Sequence, residues 1–175
     1  MPNALAAWRR IVGIGLAVLV PAVASGCAYY SFSGASIPEH ISTIAIPQVE
    51  DNSLSTQTAL DESLTQLLIS RFVNQTRLSL ETRDDVADAL LRVQITRYAN
   101  APTSVSGEEL ATRNRVTITV NVNYEDQVEE TSFLSRTFSG FEDYDPLDPE
   151  AEDEAARGAL QKVADDIFTA ATSNW

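Results

Sequence analysis

The chain has 175 residues, with 12 Lys+Arg against 25 Asp+Glu for a formal charge of −13, and 44% of its residues are hydrophobic. That length suits one domain of ordinary size, and the apolar share excludes wholesale disorder. The acid excess argues against a nucleic-acid partner, which needs clustered Lys and Arg, while a single Cys and a single His exclude an intramolecular disulfide, a multi-cysteine zinc site and a His-rich metal cluster.

Arg9 and Arg10 are the only charges before Glu39, and they precede the apolar run Ile11 to Val20 and then Pro21-Ala22-Val23-Ala24-Ser25-Gly26-Cys27. A basic start, an apolar stretch too short to span a bilayer and small residues at a cleavage point make an export signal. The sole Cys directly follows Ala24-Ser25-Gly26, which resembles the bacterial lipobox, with Ala24 where Leu is commonest. On this reading residues 1–26 are a cleaved lipoprotein signal peptide and Cys27 carries acyl chains. At about 0.8 kcal/mol per buried methylene, two or three such chains hold a domain on a membrane almost permanently. The plainer readings are an ordinary secretory signal whose Cys27 is incidental, or a short buried helix. Ala28 stands where an Asp would retain an enterobacterial lipoprotein in the inner membrane, so the outer membrane is favoured. Loss of the signal leaves 10 Lys+Arg against 25 Asp+Glu, a balance of −15.

Residues 27–40 read as a lipid-tethered lead-in, in which Tyr29, Tyr30 and Phe32 lie either at the lipid interface or against the domain that follows over 41–175. Ile41 to Val49, ended by Pro47, predicts a first strand near a sheet edge. Asp51, Asn52, Ser53 and Ser55 offer helix caps, and Leu60, Leu64, Leu67, Leu68 and Phe72 form one apolar stripe, so a helix is expected over 56–75. Leu78 to Glu81 allows a brief strand before the polar turn marked by Asp84, Asp85 and Asp88. From Ala89 to Tyr98, Leu91, Val93 and Ile95 alternate with Arg92, Gln94 and Thr96. Residues 99–111 read as a loop. Val116, Ile118, Val120, Val122 and Tyr124 then alternate with Thr117, Thr119, Asn121 and Asn123, the pattern of a half-buried antiparallel strand. A turn at Glu125 to Glu130 leads to a strand around Thr131–Glu142. Asp148-Pro149-Glu150 starts a last helix to about 172, with Leu160, Val163, Ala164, Ile167, Phe168 and Ala171 inward. The expected fold is a two-layer α+β sandwich. A four-stranded, mostly antiparallel sheet packs against two helices in the order β-α-β-β-β-α.

Few groups here converge on chemistry. His40, close to Pro38 in the lead-in, is expected to be solvated; Cys27 is consumed if acylated; the scattered glycines form no phosphate loop. The acids fall in turns and at a helix start without the alternation of a Ca²⁺ loop. No catalytic residue, metal site or cofactor beyond the lipid on Cys27 is expected, and the chain is not expected to be an enzyme. Parity places Arg92, Arg113 and Arg115 on the face of the sheet away from the core, on two neighbouring strands. They form either a basic island for phosphate or carboxylate groups, or cross-strand pairs with nearby acids.

Several blocks carry a resemblance to a known family: Cys27-Ala28-Tyr29-Tyr30-Ser31-Phe32-Ser33-Gly34, Ser36-Ile37-Pro38, Thr43-Ile44-Ala45-Ile46-Pro47, Asn114-Arg115-Val116-Thr117-Ile118-Thr119-Val120, Asp166-Ile167-Phe168 and Ser173-Asn174-Trp175. Together with the lipobox they resemble the lipopolysaccharide-assembly lipoprotein LptE family, in the branch found in Bacteroidota-like bacteria. The resemblance implies a lipoprotein on the periplasmic face of the outer membrane, palmitate among its acyl chains. It also implies a partner, the β-barrel translocon LptD, whose lumen the domain plugs while lipopolysaccharide passes to the cell surface. Proteobacterial relatives engage lipopolysaccharide through basic residues, whereas this chain stands at −15. No family binding residue is carried over, and Arg92, Arg113 and Arg115 come from face parity alone. A function of a different class is a stand-alone envelope lipoprotein that binds a ligand or scaffolds.

Overall fold

The computed structural model describes residues 37–55, 57, 59–103 and 113–173. The expected signal peptide, the lipidation site Cys27, the aromatics Tyr29, Tyr30 and Phe32, and Asn174 and Trp175 lie outside the described residues.

Three long strands, β4 (Ala89–Thr103), β5 (Arg113–Asp126) and β6 (Thr131–Tyr144), form an antiparallel meander. Their alternation makes one buried face: Leu91 pairs with Tyr124, Val93 with Val122 and Ile95 with Val120. On the far side of β4 lie short strands, β1 (Thr43–Ala45) and β2 (Glu50–Asp51), both parallel to it, and β3 (Ser79–Glu81) runs parallel to β1 at the edge. The sheet therefore has six strands, in the order β3-β1-β4-β5-β6 with β2 beside β4.

The α+β class and the two helices agree with the sequence reading; the strand number is corrected from four to six, and the sheet is mixed, antiparallel along its long strands and parallel at its short ones. The expected first strand is interrupted at Pro47, which has no N–H to give a ladder, so one strand becomes β1 and β2. The brief strand at Leu78 to Glu81 takes the outer position, which leaves β1 inside the sheet instead of at its edge.

Helix α1 (Leu60–Gln75) begins four residues later than expected, at Ala59 with φ 62°, and no side chain caps it. The cap candidates are used in the preceding loop: Asp51 accepts from the Ser53 N–H and Ser55 from the Gln57 N–H. Helix α2 (Ala151–Ser173) starts where Asp148 accepts from the Glu150 N–H, and it buries Ala155, Ala159, Leu160, Val163, Ala164, Ile167 and Ala171. Both helices cover the apolar face of the sheet, with Leu64, Leu68 and Phe72 of α1 meeting Tyr124 and Phe168 around an edge-to-face ring pair.

β4 continues to Thr103, past the start of the expected loop at 99. Beyond Ile95, where β2 ends, β4 is an edge strand, and so Pro102 is tolerated within it. No helix among the described residues is long and apolar enough to cross a membrane.

Candidate functional site

The face of the sheet turned away from the helices is polar along its length. β5 contributes Arg113, Arg115, Thr117, Thr119, Asn121 and Asn123, and β6 contributes Ser135, Thr137, Ser139, Phe141 and Asp143 opposite them. Cross-strand side-chain bonds tie these rows together, as between Thr137 and Asn121 at 2.8 Å and between Thr119 and Ser139 at 3.0 Å. At the end nearest β2, an open trough of about 610 Å³ is lined by Glu50, Arg92, Gln94, Asn121, Asn123 and Thr137 among others. Its groups both donate and accept hydrogen bonds, so it suits a hydroxylated or anionic ligand.

All three arginines singled out from the sequence lie on this face, and β4 and β5 are neighbours. The register separates them. Arg92 stands opposite Asn123, whereas Arg113 and Arg115 stand opposite Thr103 and Ala101 at the other end of the ladder. Along β5 this is a distance of roughly 27 Å to Arg115 and roughly 34 Å to Arg113 at 3.4 Å per residue. They do not form one cluster.

Each arginine also has its own surroundings. Arg115 meets Asp143 through two parallel bonds, Nε to Oδ1 at 2.6 Å and Nη2 to Oδ2 at 2.9 Å, and its guanidinium lies 4.1 Å from the centre of the Phe141 ring. The bonds from Arg115 hold the Asp143 carboxyl below its usual range. Among the described residues, Arg92 meets the half-buried Glu125 at 3.8 Å. Arg113 is exposed.

A fourth arginine joins the face. Thr96 is an extra residue between the pairs Ile95–Val120 and Arg97–Thr119, so this β-bulge turns Arg97 outward. The same bulge shifts Tyr98 to the helix side, where its hydroxyl donates to Glu152 on α2 at 2.8 Å. Burial, and next the Glu152 carboxylate, push the Tyr98 phenol far above its usual range. Strict alternation from Leu91 gives no hint of either change.

A second constellation sits at the opposite end of the meander from the Arg113–Thr103 pair. His40 is exposed, as the sequence suggested, but its ring is held by partners that the sequence did not reveal. Its Nε2 donates to Asp126 Oδ2 at 2.5 Å, and its Nδ1 lies 3.8 Å from Glu129 Oε1. Asp126, which closes β5, is buried. Burial works against its charge, but N–H groups of Glu129 and Val128 and the His40 ring hold its carboxyl below the ordinary value. The His40 ring is correspondingly raised, first by its bond to Asp126.

These three residues offer ligand-type atoms within 4.8 Å of one another. The two ring nitrogens, however, face different carboxylates, and one metal ion takes only one of them. The ring stands between two carboxylates, bonded to Asp126 and facing Glu129. Nearby, Asp88 accepts from the N–H groups of Ser42 and Thr43, and Thr43 Oγ1 accepts from the Asp88 N–H, which fixes the start of β1 to the turn before β4.

Comparison with known proteins places this geometry among relatives. The family model described as LptE, lipopolysaccharide-assembly, matches residues 41–171. No curated protein matches the chain by sequence. A solved structure from Xanthomonas campestris is similar with a TM-score of 0.54 at 16% identity, covering 75% of this chain and 85% of that one. An uncharacterised lipoprotein B from Nitrosomonas europaea gives a TM-score of 0.52 at 12% identity, covering 82% of this chain and 88% of its own. A hypothetical protein from Chlamydia trachomatis gives 0.52 at 9% identity, covering 77% and 99% respectively. At such identities these structures speak for the fold alone.

Proposed function

The chain belongs to the LptE lipopolysaccharide-assembly family, and from that premise we propose that it is an outer-membrane lipoprotein, anchored through acyl chains on Cys27, that plugs and helps assemble an LptD-type β-barrel translocon. The observation that carries this reading is the family match, which spans both helices and every strand of the sheet. The polar open face supports it physically. A large barrel has a polar, water-filled lumen, and a sheet face of Thr, Asn, Ser and solvated arginines suits such surroundings. The helix-covered core needs no partner to hide its apolar residues. The role is assembly and gating, with no covalent chemistry.

Lipopolysaccharide is both phosphorylated and hydroxylated, and the open face offers groups for each. Arg92 and Arg113 of the original candidates, with Arg97, present guanidinium donors there. Arg115 is already committed to Asp143 and serves the sheet. A stand-alone ligand-binding lipoprotein is the second reading, and the trough beside Arg92 is the observation in its favour.

The deciding experiment is affinity purification of the full-length protein from detergent-solubilised envelopes. Co-recovery of a large β-barrel protein in near-stoichiometric amount is the expected result. Recovery only as a free monomer under the same gentle conditions overturns the plug and favours the stand-alone reading.

A further inference from the structure

The stretch through which the chain enters the domain, residues 37–43, is held from two sides. On one side Arg77, just past α1, donates to the main-chain oxygens of Ile37, Pro38 and Ile41. A guanidinium stays charged across all physiological pH, so this hold is permanent. On the other side His40 reaches the β5–β6 hairpin, and that hold depends on a proton.

The dependence follows from the two ring nitrogens. Nε2 is 2.5 Å from Asp126 Oδ2 and Nδ1 is 3.8 Å from Glu129 Oε1. Only the imidazolium has an N–H on both; a neutral ring that keeps the short bond to Asp126 turns a lone pair toward the Glu129 carboxylate. Asp126 cannot adapt, because its other oxygen already accepts from the Val128 and Glu129 N–H groups. The charged groups that act on the ring are Asp126 of β5, Glu129 of the hairpin and Asp88 of the turn before β4, and all are acidic. Asp88 in turn holds the N–H groups of Ser42 and Thr43, so the ring, the entry stretch and the hairpin share one network.

We propose that His40 is a proton-operated latch on the entry segment. Protonated, it ties residues 37–43 to the β5–β6 hairpin; on losing its proton it drops the Glu129 side of the tie and the segment loosens, while Arg77 keeps it from leaving. The latch rests on the geometry of the domain and not on the translocon reading.

The test uses the mature chain, isotope-labelled and kept in detergent micelles, between pH 5.5 and 9. Two signals are read: the His40 ring nitrogen shifts, and the amide exchange of residues 37–43 corrected for its intrinsic rate. The ring should titrate above pH 6.5, and protection of 37–43 should fall several-fold through the same midpoint while the amides of β5 stay protected. Glu129→Gln, at an exposed position, should keep the fold and lower the midpoint; His40→Gln should abolish the step and leave 37–43 weakly protected at every pH. Protection unchanged through the titration, or an ordinary midpoint unmoved by Glu129→Gln, overturns the latch. Ring signals that shift on adding equimolar zinc chloride at pH 7 also overturn it, in favour of a metal site.

Discussion

Arg113 and Arg115 stand two residues apart on β5 and share a face, but their guanidinium groups differ in what they have left to give. Arg115 spends two donors on Asp143 and its plane on Phe141. Substituting it with Ala should lower the urea midpoint only slightly, since solvent screens the pair, and leave lipopolysaccharide affinity nearly unchanged. Changing Arg92, Arg97 and Arg113 together to Glu should do the reverse. The urea midpoint stays close to wild type, and binding of lipopolysaccharide micelles falls at least tenfold at low salt, less at high salt. Equal affinity in the triple variant would remove these residues from any binding surface. Residue patterns alone placed Arg92, Arg113 and Arg115 on the correct face, since alternation fixes which side a strand residue takes. They did not reveal that Asp143 lies opposite Arg115, because register between strands is a tertiary property. The face taken by Arg97 and the partner of His40 were hidden for the same kind of reason. Arg97 is turned by a bulge that only pairing creates, and His40 meets Asp126 across 86 positions of sequence.

At the scale of elements, the long periodic segments were legible in full, and the short ones only in outline, without their number or their partners. β5 and α2 repeat their pattern over enough residues for burial to outweigh local chance. β1, β2 and β3 have three, two and three residues, too few for a period; β1 and β2 exist because β4 gives them a ladder to join, and β3 because β1 does. β6 and α2 approach closely at Gly140 of β6. A Cβ there would lie 2.4 Å from the Ala159 carbonyl oxygen and 2.8 Å from Val163 Cγ2. A helix backbone cannot rotate out of the way as a side chain can. Gly140→Ala should therefore destabilise the domain by about 1–3 kcal/mol or more, as overpacking does. Gly158→Ala, on α2 itself, is the matched control. Its new Cβ meets only the Glu142 side chain, at 3.3 Å, and Ala is the better helix former by about 1 kcal/mol. It should be neutral to slightly stabilising. Urea unfolding of both variants checks the pair, and a larger loss for Gly158→Ala than for Gly140→Ala would refute the packing account.

For the whole molecule the governing quantity is the excess of acid, −13 over the full sequence, and its effect on stability runs in opposite directions on the two sides of pH 6. Asp88, Asp126 and Asp143 are each held below their usual carboxyl range by bonds made only in the folded state. A carboxyl depressed in this way contributes stability that is present above its unfolded value, near 4, and is lost as pH falls through the folded one. His40 has the other sign. Its raised value means that its contribution is complete below its unfolded pKa of about 6.5 and disappears as pH rises through the folded value. The self-repulsion of the ionised acids is also largest at high pH, where no imidazolium offsets it. The melting temperature should therefore peak between about pH 4.5 and 6.5, fall steeply below pH 4 and decline gently above 7. In His40→Gln the gentle decline should flatten while the acid limb stays in place. Added NaCl at pH 8 should recover part of the loss in the wild type by screening repulsion. A wild-type melting temperature that climbs steadily from pH 5 to pH 8 would show that neither the His40 bridge nor the acid excess governs this domain.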